Sequence, residues 1–422
     1  MSGKAEAVKR ARGCGHDAPA MSVDDALQRI RDVLAPVSLD ERVALRDALG
    51  RVLGERIVST VDVPASDNSA MDGYAVRGDD LASAVNEPLR LVGEAFAGHP
   101  YDGTVSAGEC VRIMTGGVVP DGTDTVVMQE RVRREEELIW IGEGHRRGQH
   151  VRYRGEDLAA GQTVLEPGRR LTAPDLGLLA SLGVPEVRVR RRVRVAFFST
   201  GDELKSVGEQ LDAGDVYDSN RYTLHAMLQR FGADILDLGV VGDDAETLAA
   251  TLDRACRDAD VVVTTGGVSV GEADHITPLL AERGDIGFWS VNMKPGRPLA
   301  FGRLGSAAFF GLPGNPVSVM VTFYQIVLPA LEHVQGMTPT PRLRLRARSA
   351  EHIRQKSGRR EFQRGVLTTA TDGTPEVRIT GMQGSGILRS MSEANCFVIV
   401  PEDSEGVEPG TWVDVEPFAG LV

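Results

Sequence analysis

The sequence predicts a multidomain α/β protein with a central βα sandwich, a mixed N-terminal domain, a mainly β insert and a C-terminal β barrel. The length of 422 residues fits about three domains of roughly 150 residues. Between residues 193 and 334, apolar runs of strand length alternate with helical segments, as in a sheet covered by helices. From Pro341 onward, apolar residues recur at every second position, which is typical of strands in a small barrel or sandwich.

The composition indicates a folded globular protein and argues against two classes of partner. Hydrophobic residues make up 42% and charged residues 25% of the chain, which is ordinary for a globular domain. Because 47 basic residues face 60 acidic ones, the net charge of −13 disfavours nucleic acid and anionic membranes as partners. The four cysteines are isolated in sequence, so we expect neither a disulfide framework nor a cysteine-built zinc site, and a reducing, cytoplasmic location fits.

The N-terminal part of the chain is expected to be helical after a flexible tail. Residues 1–20 contain no apolar core of signal-peptide type and are interpreted as that tail. A first helix is predicted behind the N-cap Ser22, and a second from Asp40 to Gly50. We assign residues 21–60 together with 155–192 to one discontinuous linking domain.

A mainly β insert and a basic strand follow. Short alternating runs broken by glycine predict the insert over residues 61–154. A helix is expected at Pro174–Leu182. The string VRVRRRVRV at residues 187–195 is interpreted as a strand with one solvated face, although an anion-binding patch is the alternative.

Residues 193–334 form the predicted α/β domain, and residues 341–422 the predicted barrel. Strands that are apolar on both faces favour a parallel sheet covered by helices. The predicted strands are VRVAFF, ILDLGVV, DVVVTT, IGFWSV and AAFFGL, and the predicted helices are Asn220–Phe231, Ala245–Asp258, Ile276–Arg283 and Val317–Val334.

The uninterrupted apolar part of the predicted helix Val317–Val334 is too short to cross a membrane. Only 15 residues separate Pro316 from Glu332, about 22 Å of helix against a hydrocarbon core of roughly 30 Å. We therefore predict a buried or interface helix.

Polar loops follow three of the predicted strands, and the carboxyl ends of parallel strands are where ligands bind. One strand runs into GGVSVGEAD (residues 266–274), which alone fits a tight turn as well as an anion site; the others run into FSTGDEL and GLPGNPVS. The segment MKPGRP adds Lys294 and Arg297, two cations that we interpret as an oxyanion clamp. Because neither a G-x-G-x-x-G nor a P-loop motif is present, a dinucleotide enzyme or a P-loop ATPase is disfavoured.

Similar motifs occur outside this domain: DNSAMDGYAVR (67–77), RIMTGG (112–117), RGED (154–157) and QGSGILRS (383–390). Together with FSTGDEL, YDSNR, GGVSVGEAD, MKPGRP and GLPGNPVS, they resemble in order and spacing the molybdopterin molybdenumtransferase family, to which the E domain of gephyrin also belongs. The resemblance extends from about residue 22 to the end of the sequence. It implies that residues 193–334 are the molybdopterin-binding domain.

The resemblance implies a transferase of molybdenum cofactor biosynthesis. It would insert molybdate into adenylylated molybdopterin, release AMP and use a divalent cation such as Mg²⁺. It would act as a homodimer in which the β insert of one subunit completes the site on the other, with molybdopterin adenylyltransferase and molybdoenzymes as further possible partners. A non-catalytic molybdopterin-binding or scaffold protein and a molybdopterin adenylyltransferase are the alternatives.

The resemblance also implies the site residues. Those assigned to catalysis are Asp72, Thr115, Asp157, Glu203, Asp243, Asp274, Lys294, Arg297 and Ser385. Those assigned to binding are Thr200, Gly201, Asp202, Ser219, Asn220, Gly266, Gly267, Ser269, Gly271, Pro313, Gly314 and Asn315. Hydroxyl, N–H and cationic donors suit a tetrahedral dianion and a pyrophosphate, whereas carboxylates need a cation or the donor edge of the pterin. Glu203 and Asp274 are the expected cation ligands.

Overall fold

The computed structural model describes residues 20–266, 279–280, 283–356 and 358–418. The chain divides into two compact units. The larger unit comprises Met1–Glu41, Gly50–Val52 and Val189–Val422, and the smaller unit comprises Arg42–Leu49 and Leu53–Arg188. The finer division into domains stays a prediction.

The larger unit begins with the predicted helix, Val23–Val33. The Ser22 side chain accepts a hydrogen bond from the Asp25 N–H at 3.0 Å, which satisfies one of the free donors at the start of the helix. Val23, Ala26 and Ile30 lie on its buried face, as their spacing predicts. This prediction is confirmed.

The second predicted helix, Asp40–Gly50, is wrong. The segment forms a strand, Asp40–Ala44, and a single 3-10 turn, Leu45–Asp47, with no buried residue in either. Without a buried face, local helix propensity is not reinforced by packing. A long-range hydrogen bond forms in place of a helical one: the Leu45 N–H donates to the Pro185 carbonyl at 2.9 Å.

The smaller unit is mainly β, as predicted for the insert. In spatial order, the six strands of its main sheet are Thr125–Met128, Gly73–Val76, Glu109–Ile113, Leu89–Ala95, Leu138–Ile141 and Val132–Glu135. Two short pairs join Asn68–Ser69 with Val151–Arg152 and Ile57–Val58 with Thr163–Leu165. The predicted helix is also present, at Ala173–Ser181, where Thr172 and Asp175 form a capping box.

The central sheet of the larger unit is mixed, not entirely parallel. In spatial order its strands are Asp234–Val241, Arg194–Thr200, Val261–Thr265, Ala307–Leu312, Pro298–Leu304 and Asp285–Ser290. The five predicted strands are present, and the first four in this order are parallel. The strand Pro298–Leu304 was not predicted and is antiparallel to both neighbours. A two-residue turn at Gly305, with φ of +61°, connects it to the next strand and reverses the chain.

Helices cover both faces of this sheet and bury two apolar cores. The helices Ser219–Phe231 and Ala245–Asp258 start at the N-caps Asp218 and Asp244, whose side chains accept hydrogen bonds from the N–H groups of Arg221 and Thr247. The predicted helix Ile276–Arg283 lies largely outside the described residues.

The long apolar helix spans Pro316–Val334, close to the predicted Val317–Val334, and its 19 residues extend beyond the 15-residue stretch between Pro316 and Glu332 that was compared with the membrane thickness. Pro329 lies within it, just after a π turn at Phe323–Val327, where the regular hydrogen-bond ladder is already interrupted. By length and composition this helix could cross a membrane, but 78% of its apolar window is buried inside the protein. It is therefore a core helix, as predicted.

The C-terminal strands close into a five-stranded barrel, which confirms the predicted fold class. In order around the barrel they are Arg360–Thr369, Pro375–Ile379, Leu345–Ser349, Trp412–Pro417 and Cys396–Val400, and the last pairs again with the first. The strand Arg360–Thr369 also pairs in parallel with the two-residue strand Met293–Lys294. This pairing ties the predicted oxyanion clamp to the barrel.

Candidate active site

Three neighbouring strands of the central sheet end together, at Thr200, Thr265 and Leu312, and Gly266 directly follows the second of them. The Gly266 N–H donates to the Leu312 carbonyl at 3.2 Å. A Cβ on residue 266 would lie 2.5 Å from the Thr200 carbonyl oxygen, and the φ of +85° favours glycine as well. Only a glycine fits at position 266, because the backbones of the neighbouring strand ends lie close together at this edge of the sheet.

Two further segments join this edge. The Asn220 side-chain amide, from the second residue of its helix, donates to the Gly314 carbonyl at 2.7 Å. The Ser385 carbonyl accepts a hydrogen bond from the Val317 N–H at 3.0 Å, so the QGSG loop lies against the start of the core helix. The structure thus brings Asn220, Gly314 and Ser385 together with the strand ends. Ser219, Pro313 and Asn315 are the sequence neighbours of these residues.

The acidic turn after the first of these strands points its carboxylates in two directions. Asp202 Oδ1 accepts a hydrogen bond from the Asp243 N–H at 3.0 Å, which joins two predicted site residues. A Cβ on Gly201 would lie 2.5 Å from Glu203 Oε2, so this glycine leaves room for the Glu203 carboxylate. Because Glu203 is exposed, its carboxylate is available to a ligand.

Lys294 and Arg297 are both partnered within the larger unit. Lys294 Nζ lies 2.7 Å from Glu361 Oε1 and forms an ion pair with it. Arg297 Nε donates to the Ser290 hydroxyl at 3.0 Å. The ammonium of Lys294 is therefore balanced by a carboxylate, whereas Arg297 makes no ion pair with any described residue.

Arg364 is a functional candidate that sequence reasoning missed. Its side chain is 1% exposed, and it donates to the Ser390 hydroxyl at 3.1 Å and the Gly384 carbonyl at 3.2 Å. Its backbone N–H donates to Gln383 Oε1 at 2.8 Å. Burial lowers the pKa of Arg364 to about 10, which still leaves a cation at neutral pH. Arg364 thus holds the loop that carries Ser385.

The sequence does contain a signal for Arg364 and Glu361. Both belong to EFQRGV, where Glu361, Gln363 and Arg364 interrupt a strand of the barrel. Glu361 and Gln363 lie on one face of this strand and Arg364 on the other, and all three side chains are buried. Three buried polar side chains in one strand indicate a supporting polar network.

In the smaller unit, Asp72 and Thr115 meet directly. Asp72 Oδ1 accepts hydrogen bonds from the Thr115 N–H at 2.8 Å and from the Thr115 hydroxyl at 2.7 Å. These two bonds, with the nearby charge of Arg112, lower the pKa of Asp72 below its usual value. Asp72 is therefore an ionised acceptor at neutral pH and not a proton donor.

The RGED motif lies beside the DNSAMDG motif in the same unit. The Arg154 N–H donates to Asp67 Oδ1 at 2.7 Å, and Arg154 Nε lies 2.6 Å from Asp62 Oδ2. The Asp157 N–H donates to the Val63 carbonyl at 3.0 Å, and its carboxylate is exposed. The structure thus collects Asp72, Thr115 and Asp157 in one unit and the remaining described site residues in the other.

Part of the predicted site lies outside the described residues, namely Gly267, Ser269, Gly271 and Asp274. Among residues 20–266, 279–280, 283–356 and 358–418, no group of three or more Asp, Glu, His or Cys side chains could hold a metal ion. Of the two expected cation ligands, Glu203 is the described one. A single exposed carboxylate suits a cation that takes most of its ligands from substrate phosphates and water.

Three regions of the chain match known protein families. Residues 21–183 match the MoeA N-terminal region (domain I and II), residues 196–333 a probable molybdopterin binding domain, and residues 346–418 the MoeA C-terminal region (domain IV). Together these matches cover most of the chain.

Relatives of known name cover nearly the whole chain. Molybdopterin molybdenumtransferase of Haemophilus influenzae is 40% identical over 404 residues, 95% of this chain and 100% of that protein. Molybdopterin molybdenumtransferase 2 of Mycobacterium tuberculosis is 37% identical over 382 residues, 88% of this chain and 94% of that protein. The solved structure of the molybdopterin biosynthesis moeA protein from Pyrococcus horikoshii matches with a TM-score of 0.84 and 30% identity, over 95% of this chain and 100% of that one. The chain therefore belongs to the MoeA family of molybdopterin molybdenumtransferases.

Proposed function

We propose that this protein is the transferase of molybdenum cofactor biosynthesis that inserts molybdate into adenylylated molybdopterin. Water cleaves the phosphoanhydride of the pterin nucleotide, which releases AMP and leaves the pterin phosphate. The two dithiolene sulfurs then bind the molybdenum, and one molybdate oxygen leaves as water with the two thiol protons. The observation that carries the proposal is the meeting of Thr200, Gly266, Gly314 and the Ser385 loop at one edge of the sheet. The carboxyl edge of parallel strands is where α/β sheets bind their ligands, which suits binding of the pterin nucleotide there.

We assign the binding of the molybdate dianion to Lys294, Arg297 and Ser385. Two cations and a hydroxyl match an oxyanion that offers four acceptor oxygens. Lys294 lies in the two-residue strand that pairs with the barrel, and Ser385 lies in the loop that Arg364 holds. The barrel therefore positions these two groups, whereas Arg297 is held by Ser290 at the end of a strand of the central sheet.

The polar edge also offers buried groups to the pterin nucleotide. Asn220 Oδ1, Asp218 Oδ2 and the Thr264 hydroxyl are buried and have no hydrogen-bond partner within the described part of the chain. Unpaired buried polar atoms are costly, so a ligand that supplies their partners would bind favourably there. Gly267, Ser269 and Gly271 are assigned to the same nucleotide through the family motif.

The cation role is assigned to Glu203 and Asp274. Mg²⁺ binds through one or two carboxylates together with substrate phosphates and water, so the exposed Glu203 fits it without a complete protein cage. When bound, Mg²⁺ would offset the negative charge of the pyrophosphate. Glu203 would orient it from the larger unit.

We propose that the protein is a homodimer. In each site, one subunit would contribute Asp72, Thr115 and Asp157, and these residues would complete the site on the other subunit. Molybdopterin adenylyltransferase, which makes the proposed substrate, and molybdoenzymes, which use the product, are the further partners we propose, in the cytoplasm.

The deciding experiment follows AMP release. The purified protein is incubated with adenylylated molybdopterin, molybdate and Mg²⁺, and AMP is measured with and without molybdate. We expect molybdate-dependent AMP release and no consumption of ATP. ATP consumption with unadenylylated molybdopterin would instead indicate an adenylyltransferase, and pterin binding without turnover would indicate a scaffold.

A further inference from the structure

The Lys294–Glu361 pair is fixed more firmly than an ordinary surface ion pair. Met293 and Lys294 pair in parallel with Arg360 and Glu361, so the two side chains start from adjacent backbone positions. The Glu361 carboxylate is buried, whereas 46% of the Lys294 side chain is exposed. The carboxylate therefore lies behind the ammonium, which faces solvent.

A second hydrogen bond holds the carboxylate in place. Gln363 Nε2 donates to Glu361 Oε2 at 2.9 Å and also to the Arg354 carbonyl at 2.9 Å. Each carboxylate oxygen thus has its own partner, one charged and one neutral. A carboxylate held in this way keeps its position and charge when an anion approaches Lys294.

We infer that Glu361 is a positioning residue that acts through Lys294, and that its charge limits how tightly the oxyanion clamp holds molybdate. The inference rests on the proposed function. An oxyanion at Lys294 competes with Glu361 for the same ammonium and is repelled by the carboxylate behind it. The clamp would then capture molybdate reversibly, and a clamp without this charge would release it more slowly.

The test compares molybdate binding to the full chain before and after the charge is removed. Glu361→Gln keeps the size of the side chain and one acceptor but loses the negative charge. Equilibrium dialysis with molybdate alone, at low ionic strength, should show affinity raised roughly tenfold. Added salt should shrink this gain, because it screens the charge that has been removed.

A matched control exists in the same barrel. Glu416 is also a buried carboxylate, with Arg342 Nη1 at 3.0 Å and Gln325 Nε2 at 3.2 Å, but it is not assigned to the clamp. Glu416→Gln should leave molybdate affinity unchanged. Glu361→Asp, which keeps the charge, should stay close to the original protein. In turnover, Glu361→Gln should lower the KM for molybdate without raising kcat.

The outcomes separate this inference from the proposed function. A folded Glu361→Gln protein that binds molybdate with unchanged or weaker affinity overturns the inference, as does an equal gain in Glu416→Gln. If Glu361→Gln does not fold, the same comparison is made between Lys294→Gln and the double variant Lys294→Gln/Glu361→Gln, where loss of the carboxylate should again raise affinity. Absence of molybdate-dependent AMP release from the unaltered protein would instead overturn the proposed function.

Discussion

Asp72 Oδ1 receives two hydrogen bonds from a single residue, Thr115, one from its N–H and one from its hydroxyl. The pair joins the turn after Asn68–Ser69 to the loop after Glu109–Ile113. Because both bonds favour the ionised carboxylate, they lower the pKa of Asp72. The carboxylate is thus oriented before any ligand arrives.

Thr115→Val should raise the pKa of Asp72 part of the way towards its usual value. The hydroxyl bond is lost, whereas the backbone N–H still donates. A group with a lowered folded pKa stabilises the protein above its unfolded pKa and loses that effect as the pH falls through the folded value. The variant should therefore lose this contribution at a higher pH during acid titration.

An NMR titration of the Asp72 carboxyl carbon measures the pKa directly. Thr115→Ser keeps both donors and serves as the control, with an expected pKa close to the original. An unchanged pKa in Thr115→Val would show that the hydroxyl bond does not form in solution.

Arg364→Lys should loosen the Ser385 loop and lower activity. Lysine can replace one of the two side-chain bonds, to the Ser390 hydroxyl or the Gly384 carbonyl, but not both. We expect a loss of about 1.5 to 3 kcal/mol in the free energy of unfolding, the range for a hydrogen bond to a charged group. Urea unfolding measures it. Arg389→Lys, at an exposed pair with Glu393 one turn away, is the control and should change stability little. Equal losses in both variants would contradict the role of Arg364.

Lys294→Gln should reduce both molybdate binding and stability. The change leaves the buried Glu361 carboxylate without its cation. We expect a loss of about 1 to 3 kcal/mol, because Lys294 itself is half-exposed. The double variant Lys294→Gln/Glu361→Gln should recover stability but not activity, as measured by thermal unfolding and AMP release. A double variant less stable than Lys294→Gln would mean that Glu361 stabilises the fold without Lys294.

Gly266→Ala should reduce the stability of the protein by more than the strain of a positive φ alone would. The added Cβ would meet the Thr200 carbonyl oxygen at 2.5 Å. Gly239 has a similar φ of +81° but no heavy atom within 4 Å of the added Cβ, so Gly239→Ala reports the strain alone. We expect Gly266→Ala to be less stable than Gly239→Ala by at least about 1 kcal/mol, as measured by urea unfolding. Equal stability would show that Thr200 moves away at no cost.

Apolar periodicity in the sequence predicts those helices and strands that bury one face against the core. The helix Val23–Val33 and the barrel strands follow their apolar spacing, and the motif residues Thr200, Gly266 and Gly314 meet because parallel strands end at one edge. The strand Pro298–Leu304 was missed because its direction depends on the turn at Gly305 and on its neighbours. Glu361 and Arg364 were missed for a related reason. The side chains on both faces of their strand are buried in the closed barrel, and three polar residues in a strand do not by themselves distinguish a buried network from a solvated face.

The proposed homodimer leads to a quantitative complementation test. Asp72 lies in the smaller unit, whereas Asp274 lies outside the described residues, within the segment 196–333 that matches a probable molybdopterin binding domain. We propose that each active site takes Asp72 from one subunit and Asp274 from the other. Asp72→Ala and Asp274→Ala homodimers should then both be inactive. A mixed dimer would contain one site with both lesions and one with neither. Random exchange of subunits should therefore restore about a quarter of the original sites, since half of the dimers are mixed and half of their sites are intact.

Co-expression of the two variants under different tags, followed by two affinity steps, isolates the mixed dimer for measurement of AMP release. Its composition is verified by native mass spectrometry. We expect about half of the original activity per purified mixed dimer, because one of its two sites carries no lesion. The matched control is a mixed dimer of Asp274→Ala with Lys294→Gln, two changes within residues 196–333, which match one molybdopterin binding domain. If each site takes that segment from one subunit, every site of the control carries a lesion and none is restored. A verified mixed dimer of Asp72→Ala and Asp274→Ala without activity would mean that one chain supplies both residues to each site.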